Sequence, residues 1–342
     1  MTEIEKTKSS NIVGLGLVSG GLDSLTACLL IQQQGIEVVG LNFKSPFCQC
    51  DKVLSHSDCG LDLFSDKLGI KIHTITKGDD YLEIVRNPKF GYGKNLNPCI
   101  DCRIYILRKA KEFKTKVNAD FIFTGEVLNQ RPKSQHMKAL QIVEKESGLE
   151  GELLRPLSAL QLKPTIFETQ GLIDRSKLLG IRGRSRKTQL ELARANGLLD
   201  DYFACGGCLL TDSNFARRMR DYLNFNEDLK MGDIHILKQG RHYRFKNTKI
   251  IVGRNEIENN ILLQLRKPND LIMEIKDISG PITIVQGDIT QESLQIAASL
   301  TLRHSDSKES KGEIIYGKDY RDLNNSIHIE RSDDEILKKY LL

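Results

Sequence analysis

The hexapeptide SGGLDS, residues 19–24, stands between a continuous apolar run, IVGLGLV at residues 12–18, and a segment of helical apolar period at residues 25–34. A short apolar run ending at glycine reads as a buried strand, so the hexapeptide is a strand-to-helix turn. Gly20 and Gly21 can adopt backbone angles closed to other residues and bring main-chain N–H groups against an anion. The helix behind them offers unpaired amides and the positive end of its dipole to the same anion. Ser19 and Ser24 add hydroxyl donors. Asp23 repels a bare phosphate, so it calls for Mg2+ or a positively charged partner. A serine-capped glycine turn is the plain alternative, and the strand and helix on either side argue for the anion site.

The alternation continues. Residues 36–43, 70–76 and 120–123 read as strands, and residues 61–68 and 100–114 as helices, which predicts an α/β fold with a doubly wound parallel sheet. No Gly-Lys-Ser/Thr follows the loop, and it lacks the dinucleotide fingerprint. SGGLDS resembles the PP-loop of the ATP pyrophosphatases. That resemblance implies ATP cleaved between its α and β phosphates, pyrophosphate held by residues 19–24, and an adenylated substrate as the other product. Gly125, at the end of the strand before it, should face the same crevice, as should Arg131 and Lys133, candidates to neutralise the triphosphate or the departing AMP.

Eight cysteines in 342 residues would make a disulfide framework only in a much smaller secreted chain. The N-terminus is polar and no apolar run approaches the ~20 residues of a membrane span, so the expectation is a cytoplasmic protein with no membrane partner. Four cysteines form C-x-x-C pairs, Cys99 with Cys102 and Cys205 with Cys208. NPCIDCR, residues 97–103, resembles the NPxxxCN segment of the tRNA 2-thiouridylases, with Arg103 in place of the asparagine. TGEVLNQRPKSQ, residues 124–135, is similar to the TGxxxxQxxSQ segment of the 4-thiouridine synthases with one extra residue, and LRPLS at residues 154–158 looks like their RPL segment. A uridine carbonyl oxygen becomes a leaving group once it is part of AMP, and sulfur must then arrive as a nucleophile. The predicted catalytic residues are Asp23, Cys102, Cys205 and Cys208. Cys99, Cys102 and one of Cys205 or Cys208 could hold a [4Fe-4S] cluster with an open iron, all four could close a Zn2+ site, or the thiols could carry a persulfide. Spacing does not separate these readings. Cys48, Cys50, His56 and Cys59 form a further group that either binds metal or is a loop of thiols.

The net charge of +5 is mild, but Arg182, Arg184, Arg186 and Lys187 lie in one acid-free stretch, which is either an RNA-phosphate contact or a solvated face. Residues 251–265, IVGRNEIENNILLQL, resemble the glycine-arginine-asparagine segment of NFACT-R-type domains, which implies RNA binding with Arg254 as a contact or, equally, as a packing residue. The expected organisation is a PP-loop domain at 9–160, a basic helical extension at 161–228, an α+β domain at 232–305 and a charged tail at 306–342. The reading that joins these parts is an ATP-dependent tRNA sulfurtransferase making 4-thiouridine or 2-thiouridine. Its partners are tRNA and a sulfur donor, whether a cysteine desulfurase, a sulfur carrier or free sulfide. The alternative is a PP-loop amide-forming ligase with structural zinc.

Overall fold

The computed structural model describes residues 12–48, 61–198 and 207–342. The chain divides into two compact units, Met1–Leu209 and Leu210–Leu342.

The first unit runs β1 (Val13–Leu17), α1 (Leu22–Gln32), β2 (Glu37–Lys44), α2 (Leu61–Leu68), β3 (Lys71–Thr76), α3 (Asp79–Arg86), α4 (Cys99–Lys116), β4 (Phe121–Thr124), α5 (Met137–Ser147) and β5 (Leu153–Leu154). Its strands are all parallel, in the order β3-β2-β1-β4-β5. Leu15 and Leu17 of β1 point into a core with Ile104 and Leu107 of α4 and Val143 of α5. Phe121 and Phe123 of β4 point the other way, into a core with Leu25 and Ile31 of α1 and Phe64 of α2. Helices therefore cover both faces, as the alternation predicts for a doubly wound sheet. β1 leads outward through β2 and β3, and β4 leads the opposite way to β5. The chain thus diverges between β1 and β4, and a crevice opens at their carboxyl ends, the usual ligand position in such sheets.

Two helices of this unit were not foreseen. α3 is short and buries Tyr81, Leu82 and Val85. α5 begins where the His136 ring accepts a hydrogen bond from the Ala139 N–H at 3.3 Å, and ends at Gly148 in the left-handed region, φ 67°. Beyond β5 come α6 (Ile166–Thr169), a short 3-10 turn at Arg175–Lys177, and α7 (Lys187–Ala195). Arg182, Arg184 and Arg186 lie on irregular backbone ahead of α7 rather than on a helical face.

The second unit holds α8 (Ser213–Phe225), α9 (Met231–Lys238), β6 (Arg241–Phe245), β7 (Thr248–Val252), α10 (Glu256–Leu265), β8 (Leu271–Ile275), β9 (Thr283–Gly287), α11 (Gln291–Arg303), β10 (Lys311–Gly317), β11 (Asn325–Glu330) and α12 (Asp334–Tyr340). The six strands form one antiparallel sheet in the order β11-β10-β8-β9-β7-β6. Successive apolar residues serve opposite faces: Ile250, Met273 and Val285 pack with α11, while Ile251, Ile272 and Ile284 pack with Ile236 of α9 and Leu262 of α10. Residues 306–342, read in the sequence as a charged tail, supply β10, β11 and α12. Their charges are partly cross-strand pairs, Lys311 with Glu330 at 2.8 Å and Lys276 with Glu313 at 2.9 Å.

Asp221 of α8 fixes that helix to the sheet. It accepts hydrogen bonds from Arg244 at 2.8 and 2.7 Å and from the Lys249 ammonium at 2.8 Å. Lys249 is buried, and burial lowers its pKa to about 8 despite the Asp221 carboxylate beside it. Asp221→Ala leaves that ammonium unpaired and is expected to cost about 3–5 kcal/mol, measured by urea unfolding. A loss below about 1 kcal/mol, the range of exposed pairs, would show that the interaction does not hold α8.

Candidate active site

At the carboxyl end of β1 the loop turns through Gly20 at φ 76° and enters α1 at Gly21, whose side-chain-free N-cap leaves the first helical amides without a side-chain acceptor. The Ser24 hydroxyl donates to the Gly21 carbonyl at 2.8 Å and accepts from the Ser19 N–H at 3.3 Å, so the loop is closed on itself. Gly125, at the end of β4, presses against it: a Cβ there would stand 2.5 Å from the Asp23 carbonyl oxygen and 2.8 Å from the Ser24 nitrogen. Only glycine allows this approach.

The Asp23 carboxylate has the positive and polar partners its sequence position calls for. Gln130 donates to it at 3.1 Å, Gln189 at 3.1 Å, and the Arg186 guanidinium lies at 3.4 Å. Mg2+ at Asp23 would have to displace these donors. The basic stretch therefore reaches the loop through Arg186 and through Gln189, which is fully buried and was not foreseen. Of the other predicted cations, Arg182 donates to the Asn129 amide oxygen at 2.9 Å, and Arg184 and Lys187 are exposed. Arg131 lines the cavity at the loop, together with Ser19, Asp23, Ser24 and Gly125, and Lys133 does not. In the second unit Arg254 is paired along α10 with Glu258, Nε to Oε1 2.9 Å.

Beside the loop lies a second cavity of about 310 Å³ lined by Cys48, Cys99, Cys102 and Cys208 with Phe43, Phe47 and Tyr81. The backbones of Cys48 and Cys208 pair as an antiparallel bridge, and Cys208 lines the same cavity as Cys99 and Cys102. Cys205 lies outside the described residues, as do Cys50, His56 and Cys59. The two cavities share a wall: Ser19, Asn42, Phe43, Arg103, Ile106 and Arg131 line both. Cys28, by contrast, is buried in the core of α1.

The thiols are electrostatically unequal. Cys102, in the first turn of α4, receives a hydrogen bond from the buried Lys77 ammonium at 3.1 Å. Burial opposes its ionisation, but Lys77, the Tyr81 hydroxyl and Arg103 outweigh burial and hold its pKa below the ordinary thiol value. Burial and the neighbouring Cys102 push Cys99 up, against Arg131 and Arg103. Lys77 and Tyr81 carry no motif. Their signal was position alone: Lys77 follows β3 directly, at the same sheet edge as the loop. Arg103, the residue that departs from the thiouridylase pattern, is held at 3.2 Å by Glu126, which Arg155 holds in turn at 3.1 Å. Glu126 is buried, yet the two guanidinium groups keep its pKa low.

Among the described residues, no three His, Cys, Asp or Glu converge to hold a metal ion. Lys77 places an ammonium at the Cys102 sulfur, which favours its thiolate form, and Cys205, the fourth cysteine of the two pairs, lies outside the described residues. The arrangement favours a stabilised thiolate next to a protonated thiol. Iodoacetamide at neutral pH is thus expected to alkylate Cys102 before Cys99, the difference shrinking as pH rises; equal rates would contradict the inequality. Gly125→Ala is expected to cost about 1–3 kcal/mol by overpacking, read as a lowered thermal midpoint, and an unchanged midpoint would show that loop and strand do not touch.

Residues 9–174 match the family described as thiamine biosynthesis protein (ThiI), and residues 240–341 match the NFACT protein RNA binding domain. The tRNA-specific 2-thiouridylase MnmA of Shewanella putrefaciens is 29% identical over 280 residues, 76% of this chain and 70% of its own length. That of Marinobacter nauticus is 23% identical over 334 residues, 86% of this chain and 79% of its own. Among solved structures, a 4-thiouridine synthetase–RNA complex with bound ATP aligns with TM-score 0.37 and 19% identity, covering 55% of this chain and 42% of that chain. The U34-tRNA thiolase NcsA of Methanococcus maripaludis with its [4Fe-4S] cluster aligns with TM-score 0.31 and 17% identity, covering 67% of this chain and 70% of that chain. Among the described residues no helix is long and apolar enough to cross a membrane. The chain is thus similar over residues 9–174 to the ThiI family and over residues 240–341 to the NFACT protein RNA binding domain, and the curated relatives named above are tRNA-specific 2-thiouridylases.

Proposed function

We propose that the protein is an ATP-dependent tRNA sulfurtransferase that adenylates a uridine carbonyl oxygen and replaces it with sulfur, releasing AMP and pyrophosphate. The observation that carries this is the shared wall between the glycine-loop cavity and the thiol cavity. An amide-forming ligase needs the first cavity and has no use for thiols in the second. The amides of residues 20–24 and Arg131 hold the ATP phosphates, and the uridine oxygen attacks the α-phosphorus with pyrophosphate leaving. Arg103 faces both cavities and offers its charge to the AMP phosphate as the carbon–oxygen bond breaks.

Cys102 carries the transferable sulfur as a persulfide: its thiolate attacks the terminal sulfur of a donor's persulfide, and the donor's thiolate leaves. The terminal sulfur now on Cys102 attacks the activated ring carbon and AMP departs. The Cys208 thiolate then attacks the Cys102 sulfur, which frees thiouridine and leaves a Cys102–Cys208 disulfide for an external thiol to reduce. Lys77 keeps Cys102 in the thiolate form that accepts sulfur. The exposed Arg184 and Lys187 and the NFACT domain bind the tRNA backbone.

The test is mass spectrometry of nucleosides from bulk tRNA of a deletion strain. One thiouridine should disappear, return with the wild-type gene, and stay absent with Cys102→Ser. An unchanged thiouridine profile in the deletion strain would overturn the proposal.

A further inference from the structure

Cys48, Cys99, Cys102 and Cys208 line the second cavity, and the sulfur transfer described above uses Cys102 and Cys208. Cys99 opens α4 three residues before Cys102, one helical turn away on the same face. Cys48 is placed differently. It follows the turn after β2, and its backbone lies opposite that of Cys208. The Leu209 N–H donates to the Phe47 carbonyl at 2.8 Å, one residue out from the pair, while the Cys48 N–H is spent on the Ser45 carbonyl at 3.0 Å. Cys48 and Cys208 are therefore a non-hydrogen-bonded antiparallel pair, the class with the closest side chains and Cα atoms about 4.5 Å apart.

A disulfide spans Cα separations of roughly 4.4–6.8 Å, so this pair can be bridged with the backbone where it stands. The flanks are firm. Phe47 is fully buried, edge-on to Tyr81 at 6.3 Å between ring centres, and Leu209 is buried too. Directly opposed side chains of a ladder share one face, and here that face is the cavity that also holds Cys102. The Tyr81 hydroxyl bonds the Cys102 sulfur and lies within electrostatic reach of Cys208.

Sulfur transfer leaves a Cys102–Cys208 disulfide. A thiolate that attacks its Cys102 sulfur expels Cys208 and keeps Cys102 occupied. One that attacks the Cys208 sulfur expels Cys102, and the Lys77 ammonium, at 3.1 Å, receives the departing thiolate. The better stabilised thiolate leaves faster, so attack at Cys208 is the favoured course. Cys48 stands opposite that sulfur.

We propose that Cys48 is a second resolving thiol: its thiolate attacks the Cys208 sulfur of the Cys102–Cys208 disulfide, a Cys48–Cys208 bond forms, and Cys102 leaves as a thiolate ready for the next sulfur. The disulfide moves within the chain, the Cys48 proton passes to solvent, and no oxidant or reductant is consumed. The external thiol then reduces the Cys48–Cys208 bond. The pairing rests on the backbone bridge, and its part in turnover rests on the persulfide reading above.

The test equilibrates the full chain with oxidised and reduced glutathione, without tRNA or ATP, then quenches in acid and blocks the remaining thiols. Peptide mass spectrometry maps the disulfides, with fragmentation to separate Cys48 from Cys50 and Cys208 from Cys205. Oxidised glutathione loads Cys102 as a mixed disulfide, which Cys208 and then Cys48 resolve. Wild-type protein should hold chiefly Cys48–Cys208, with Cys102 blocked as a thiol. Cys48→Ser should hold Cys102–Cys208 instead, at the wild-type thermal midpoint. In thiolation assays Cys48→Ser should lose steady-state rate with glutathione as reductant and regain it with excess dithiothreitol. Absence of Cys48–Cys208 from wild-type protein, Cys102–Cys208 dominating in both proteins, or a rate loss that dithiothreitol does not restore would each overturn the proposal. A wild-type Cys48–Cys208 bond without any thiolation would support the exchange and count against the sulfurtransferase reading alone.

Discussion

The backbone of Gly125 lies against the Asp23 carbonyl, and the rest of the site depends on that contact. It joins the ends of the two central strands where the sheet changes direction, so the loop after β1 and the segment after β4 form one surface. The Asp23 side chain then extends the junction: Gln130 comes from the β4 side, and Arg186 and Gln189 from the start of α7. A loop held by two separate segments presents its amides without further rearrangement, which is what anion stabilisation requires.

A second constraint is charge. Glu126, Arg103 and Arg155 form a buried alternating series whose outer member faces both cavities. Removing Glu126 would set two guanidinium groups against each other, so the carboxylate fixes Arg103 in place as much as it neutralises it. In the second unit Asp221 does the same for Arg244 and Lys249. Both units thus use one buried carboxylate to aim two cations.

The sheet of the first unit was legible because its central strands are continuous apolar runs and its loop is a strand-to-helix turn that few sequences contain. α3 escaped notice because its apolar residues are few and its first turn is acidic, and α5 because a histidine rather than Ser, Thr, Asp or Asn caps it. β11 escaped because it is an edge strand with alternating exposed residues, NSIHIE, in a segment dominated by charge. In the site, glycines, serines and paired cysteines carry their chemistry in their spacing. Lys77, Tyr81 and Gln189 do not, since a lysine after a strand or a glutamine on a helix is ordinary until the fold brings it to a sulfur or a carboxylate. Arg186 was legible as a cation but not as a partner of Asp23, 163 residues away in sequence.

The Lys77–Cys102 contact also bears on redox poise. A thiolate is what an ammonium at 3.1 Å stabilises, and a cysteine locked in a disulfide has no charge to offer it. Any disulfide formed at Cys102 therefore leaves a buried cation stranded, and reduction relieves it. Stabilising the reduced form makes such a bond a stronger oxidant. In the reaction proposed above, the lysine that readies Cys102 for sulfur would thereby make the spent disulfide easy to reset by ordinary cellular thiols.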